Sequence, residues 1–322
     1  MPALSRQFPA VIAIAAVTAF CAACGTSATG NPDSSSAAAR AATAAGAFPV
    51  TISAAGGPVR VRSRPARIVS LAPTATEMLY AIGAGSQVTA VDADSDYPAQ
   101  APRTKLSGLE PNVEAIVGYK PGLVVVSNYA SGLAKRLAAF SIPVLNLPAP
   151  AGLSGMYSEF DQLGQATGHL AAARREDAAV RSQVSQITAR VPHNSRQLTY
   201  YYELDQTYYS ITSSTFVGSL FKLLGMKSIA DGASGAAAAG GYPQLSSEYI
   251  IKANPDFIVL ADTICCHQSA ATVAQRPGWS GLTAVRDGHI ILLNDDIASR
   301  WGPRVIDLLR TVEAAVARDR GQ

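Results

Sequence analysis

Cys265, Cys266 and His267 are the densest run of reactive side chains in this sequence. In an oxidising compartment two adjacent thiols can close on each other as a vicinal disulfide; in a reducing one they stay as two thiols. Both readings are open. A metal site is the poorer use of these residues, because two adjacent ligands and one histidine cannot easily wrap a tetrahedral ion. The CxxC spacing of redox enzymes is absent. A second concentration runs from Tyr200 to Tyr209, which holds five of the chain's twelve tyrosines together with Glu203 and Asp205. A tyrosine packs its ring against flat apolar surface while its hydroxyl reaches a polar edge. A third group is Asp296, Arg300 and Trp301. No GxSxG elbow, Walker motif or HExxH is present, and no GxGxxG follows a strand. The expected chemistry is therefore ligand binding and not catalysis, with no resident cofactor and no structural metal.

The balance of the chain narrows the partners. The 322 residues are 48% apolar and 15% charged, with a net charge of +3 from 26 basic and 23 acidic residues. Cores of good size are expected, and wholesale disorder is excluded. The charges are too balanced for nucleic-acid binding by phosphate neutralisation. Four cysteines do not make a disulfide scaffold. Arg6 is the one early charge, and Phe8 to Ala23 is almost wholly apolar. That run is shorter than the ~20 residues that span a bilayer, so residues 1–23 read as a secretory signal. Cys21-Ala22-Ala23-Cys24-Gly25 resembles a bacterial lipobox, with Cys21 in the place usually held by leucine. The resemblance implies cleavage before Cys24 and acylation of its thiol. Residues 24–47, small and polar, read as a flexible tether. The expected location is outside the cell, lipid-anchored to the outer face of the bacterial cytoplasmic membrane.

Behind the reactive residues the hydrophobic period switches repeatedly. Strands are expected at 67–72, 88–93, 123–127 and 143–148, with helices at 74–82, 112–120 and 131–140 between them. Thr74 and Glu77 have the spacing of a capping box. Residues 153–191 read as helix broken at Gly168, and Val180, Val184, Ile187 and Val191 keep one apolar face. The alternation then restarts, with strands at 198–204, 257–262 and 289–294 and helices at 215–225, 246–254 and 303–318. Short apolar strands separated by helices argue for parallel sheets covered on both faces.

The halves also repeat each other. The run from Glu114 through Pro121 to Val126 aligns without a gap with the run from Glu248 through Pro255 to Leu260. The fold class expected is α/β, with two Rossmann-like lobes of mainly parallel strands. The lobes are residues 48–168 and 194–322, joined by a single long helix over 169–193. A cleft between them, near the strand C-termini, is where such sheets bind ligands.

From about Arg67 to Val316 the chain resembles the periplasmic binding proteins of ABC importers for cobalamin and ferric siderophores. The resemblance rests on RIVSLAPTATEMLYAIGAG, SDYPAQA, NVEAIVGYKPGLVVV, YPQLSSEYIIKANPDFIVL, RPGWSGLTAVRDGHI and DDIASRWGPRVIDLL, in this order. It implies two lobes bridged by one rigid helix, a shallow cleft and modest closure. It implies that Glu114 and Glu248 each meet arginines of an ABC permease, which works with its ATPase. It places Tyr242 at an aromatic position lining the cleft. The protein is expected to be a monomer that captures a corrinoid or an iron chelate of siderophore or haem type. The second reading is an exported thiol, redox or metal-site protein using Cys265, Cys266 and His267.

The ligand-binding candidates are Asp94, Glu203, Tyr208, Tyr209, Tyr242, Arg300 and Trp301. Trp301 has two open readings, cleft wall or packing on the last helix. The sequence departs from the cobalamin binders at three aromatic positions, which here are Ser107-Gly108, Glu203 and Ile297. Arg300 is the only obvious cleft arginine amid Asp94, Glu203, Asp205 and Asp296. A neutral or cationic ligand therefore fits better than a strongly anionic one.

Overall fold

The computed structural model describes residues 48–127, 132–191 and 196–320. The signal and tether expectations, Cys24 among them, lie outside the described residues. The described chain opens with an antiparallel hairpin, β1 (Val50–Ala54) and β2 (Gly57–Val61). The first lobe then alternates: β3 (Ile68–Leu71), α1 (Pro73–Ala81), β4 (Val88–Val91), α2 (Val113–Gly118), β5 (Leu123–Val126), α3 (Leu133–Ala138) and β6 (Val144–Asn146). Two helices follow, α4 (Leu153–Thr167) and α5 (Leu170–Arg190). The second lobe holds β7 (Leu198–Glu203), α6 (Phe216–Leu223), β8 (Met226–Ser228), α7 (Ser247–Ala253), β9 (Phe257–Leu260), α8 (Ala270–Ala274), α9 (Thr283–Arg286), β10 (Ile290–Leu292), α10 (Asp295–Ser299) and α11 (Val305–Arg320).

Two four-stranded parallel sheets result, in the orders β4-β3-β5-β6 and β8-β7-β9-β10. Counted within each sheet, the order is second, first, third, fourth in both. The expected repeat thus aligns the third strand of one sheet, β5, with the third strand of the other, β9. Both are wholly buried, LVVV and FIVL, as central parallel strands require.

The helices preceding those strands begin alike. Asn112 accepts a hydrogen bond from the Ala115 N–H, and Ser246 accepts one from the Tyr249 N–H. Each is a side-chain N-cap. Glu114 and Glu248 follow two residues later, in the first turn.

α1 departs from the expected capping box. It starts at Pro73 after an extended Ala72, with no side-chain cap. Proline is pre-set for the first helical turn, so the helix begins before Thr74 can cap it. Glu77 is left free for another role, described below.

α4 and α5 meet at Gly168, whose φ is 77°, the left-handed turn that glycine ends a helix with most readily. Nearby, a Cβ on Gly164 would lie 2.7 Å from the Cβ of Ala173, so glycine lets the two helices close on each other. α5 runs about 32 Å at 1.5 Å per residue. It buries Ala173, Val180, Val184 and Ile187. On the α11 side, Arg310 reaches the Gln183 side chain at 2.7 Å and Arg190 reaches Glu313 at 3.3 Å. The long helix is therefore held by elements of both lobes.

Candidate binding cleft

A cleft of about 580 Å³ opens at the C-terminal ends of the first sheet. Its near wall follows the strands in turn: Ala72 and Thr74 after β3, Asp92 and Asp94 after β4, Ser127 after β5 and Ala149 after β6. Its far wall comes from the second lobe, with Tyr242, Asp296, Ser299, Arg300 and Trp301. This is the crevice at which doubly wound sheets bind ligands, where the strand order reverses. The size suits a small-molecule site.

Arg300 crosses between the walls. Its guanidinium donates to Glu77 at 3.0 Å, to Asp96 at 3.0 Å, to the Asp94 carbonyl at 3.0 Å and to Asp296 at 2.5 Å. It is 9% exposed. Glu77 also accepts two hydrogen bonds from Arg304, whose guanidinium lies over the Tyr97 ring. The two arginines thus serve the acids between the lobes. Burial pushes the Asp296 carboxyl up, against the pull of Arg300, while the hydrogen bond and charge of Arg300 hold Asp96 below its ordinary value despite its own burial.

Behind Asp92 runs a buried chain of hydroxyls. Thr76 lies 2.9 Å from both Ser70 and Ser95, and Ser95 donates to Asp92. Burial raises the Asp92 carboxyl. Asp92, Asp94 and Asp296 therefore line a cleft whose one arginine is already matched by acids. Gly108 also lines it, and a Cβ there would lie 2.8 Å from the Leu71 carbonyl oxygen. A side chain at 108 would need the backbone to shift, so no aromatic platform stands there.

Four of the seven expected ligand residues meet here: Asp94, Tyr242, Arg300 and Trp301. Trp301 both lines the cleft and packs on the core, so its two readings are joined. Glu203 needs correction. It is fully buried and accepts two hydrogen bonds from Arg276, at 2.5 and 2.6 Å. Its carboxylate is matched inside the second lobe, away from the cleft surface. Tyr208 also departs from expectation, stacking on Trp279 with ring centroids 5.8 Å apart. Tyr209 is exposed and pairs with Gln244 by an isolated antiparallel bridge, outside the residues lining the cleft. Tyr200 and Tyr202 face the core and leave the cleft to other residues.

Cys265 and Cys266 are joined as a disulfide in the structure. Their loop is tied to the cleft wall, because Asp295 accepts the N–H groups of Ile264 at 3.0 Å and Cys265 at 2.7 Å. Asp295 begins α10, which carries Asp296. Among the described residues, no group of three or more His, Cys, Asp or Glu side chains is placed to hold a metal ion.

Glu114 and Glu248 are exposed. Backbone and Ser246 hydrogen bonds hold the Glu248 carboxyl below its ordinary value. A shallow groove beside Glu114 includes Leu109, Glu110 and Arg136.

Residues 68–297 match the model of a periplasmic binding protein family. The chain belongs to that family. A related chain is an uncharacterised ABC transporter substrate-binding lipoprotein of Bacillus subtilis, 30% identical over 285 residues, covering 84% of this chain and 87% of that one. Another is a cobalamin-binding protein of Halobacterium salinarum, 31% identical over 271 residues, covering 81% of this chain and 72% of that one. Among solved structures, the periplasmic vitamin B12-binding protein of Vibrio cholerae superposes with a TM-score of 0.68. It is 24% identical, covers 80% of this chain and 99% of that one, and shows the shared two-lobed fold.

Around the cleft of this periplasmic binding protein, sequence reasoning passed over the partners that hold its walls. Glu77 was legible only as a helix cap. Arg304 reaches Glu77, and Arg300 reaches Asp96, each across more than 200 positions. Glu159, on α4, accepts the Trp301 indole N–H at 2.7 Å. Its one available signal was an acid among the apolar positions of a helix, at Tyr157, Glu159 and Phe160, all buried.

Proposed function

We propose that the chain is a lipid-anchored solute-binding protein that captures a corrinoid or an iron chelate between its lobes and delivers it to an ABC permease. The observation that carries this reading is the cleft itself. Both lobes line it, Tyr242 and Trp301 offer aromatic surface, and Arg300 is already bound to Glu77 and Asp296, which leaves the exposed Asp94 without a matching cleft arginine side chain. A neutral or cationic ligand matches that surface better than a strongly anionic one. The names of the relatives, a cobalamin-binding protein and an ABC substrate-binding lipoprotein, support the same class. Residues 1–23 serve as the signal, Cys24 takes the lipid and 24–47 is the leash. Residues 48–168 and 194–322 form the two lobes around the bridging segment 169–193, and the protein works as a monomer.

The test is a thermal-shift and quenching titration of the purified protein with cobalamin, cobinamide, haemin and a panel of ferric siderophores. Saturable stabilisation by one ligand class is expected, with the shift set by mass action. Stabilisation by none of them overturns the ligand class. It leaves the exported thiol, redox or metal-site reading built on Cys265, Cys266 and His267 as the next to examine.

A further inference from the structure

Trp301 enters the cleft from the segment joining α10 and α11, while Glu159 lies on α4 beside the first lobe. Glu159 is 5% exposed, and the Trp301 indole is the one hydrogen-bond partner found for it among the described residues. An ionised acid held this way would lack most of its hydration. Burial accordingly pushes its carboxyl up to about 8, only partly offset by the indole hydrogen bond. The titratable groups on the elements packed against α4 are engaged elsewhere or lie on other faces. Glu77 of α1 is bound by Arg300 and Arg304. On α5, Arg174 faces Asp161 at 3.8 Å and Arg181 covers the Tyr157 ring. Asp177 is influenced by Arg181, Asp161 and Glu176, and none of these contributes to the Glu159 shift. β1 carries no charged residue.

The indole N–H is the only polar group of a tryptophan, and it donates only. Here it is turned away to Glu159. We infer that Glu159 is a positioning residue for ligand recognition, holding Trp301 so that the cleft meets the carbon surface of the ring and not its donor. A flat, apolar ligand face is thereby favoured over one bearing acceptors at that wall. The inference rests on the ligand-binding reading above and names one determinant of its specificity.

The chain has two tryptophans, so subtracting the emission of Trp301→Phe from that of the wild type isolates Trp301 from Trp279. Expected is a Trp301 signal with a midpoint near pH 8 that is absent in Glu159→Gln, the isostere that keeps an acceptor but cannot ionise. Corrinoid affinity at neutral pH, read by equilibrium dialysis with cobinamide and hydroxocobalamin, is expected to stay within about twofold in Glu159→Gln. It should fall roughly tenfold in Glu159→Leu and in Trp301→Phe, with no further loss when the two are combined, as coupled neighbours behave. A pH response unchanged in Glu159→Gln, or additive losses in the double variant, overturns the inference. If no corrinoid binds the wild type, the corrinoid part of the functional reading fails by itself. The fluorescence titration still decides whether Glu159 sets the indole.

Discussion

Asp262 lies two residues past β9, with both carboxyl oxygens buried and without a hydrogen-bond partner among the described residues. Burial and the neighbouring Glu203 charge push its carboxyl up to about 7. In an unfolded chain an aspartate titrates near ~3.9. Between roughly pH 4 and pH 7 the folded protein therefore holds a proton that the unfolded chain has lost, so stability falls as pH rises through that window. Asp262→Asn should flatten this fall, seen as a smaller drop in Tm between about pH 5 and pH 7.5 than in the wild type. An unchanged slope would show that Asp262 is ionised at neutral pH. Strand parity explains why Glu203, its neighbour, was misread. Tyr200 and Tyr202 point into the larger core, whereas Tyr201 and Glu203 point to the other face, toward the core around Trp279. The arginine that matches Glu203 lies 73 positions on, and no local spacing announces it. Asp94 was legible as cleft-lining because it follows a strand end, Tyr242 because it matches an aromatic position of the resembled family, and Arg300 and Trp301 because they fall in a loop between two helices at the cleft edge.

α1 and the segment leading into α11 are fastened by Glu77, whose side chain is fully buried between Arg300 and Arg304. Removing one partner of a buried ion pair leaves the other uncompensated, which costs about 3 kcal/mol or more. Glu77→Ala should lower the unfolding free energy by that amount, read as a lower urea midpoint with m unchanged, because the surface exposed on unfolding stays the same. A loss below about 1 kcal/mol would mean that Asp96 and Asp296 suffice for both arginines. The disulfide loop behaves differently. A bridge between adjacent residues closes almost no chain, so its effect on the unfolded state is only about 1 kcal/mol. Asp295 also still holds the loop through the Ile264 and Cys265 N–H groups. Replacing both Cys265 and Cys266 by serine should therefore leave the melt within about that amount of the wild type. The long helix and its break at Gly168 were readable, because an apolar face persists over many turns. The β1–β2 hairpin, β8 and the helices α8 to α10 were not, being three to five residues each without the continuous apolar run that marked strands as short as β10.

At the scale of the whole molecule the duplicated strand order places two matched features at matched places. Asn112 and Ser246 cap short helices, and each presents an exposed glutamate in the first turn, one per lobe. The same duplication leaves the cleft asymmetric. One wall is built from strand ends of the first sheet, the other from α10, Trp301 and Tyr242. The proposed ligand capture and the permease docking expected at Glu114 and Glu248 fall on different residues, so the two functions should separate experimentally. Exposed charges at a docking surface govern encounter rate and salt dependence more than they govern affinity for a distant ligand. Replacing Glu114 or Glu248 by alanine should slow association with the permease in proteoliposomes by about tenfold at low salt, and less as salt rises. Ligand affinity should not change, since neither residue lines the cleft. Loss of ligand binding in either variant would show that the helices before β5 and β9 set the cleft. Unchanged association in both would place the docking surface elsewhere on the lobes.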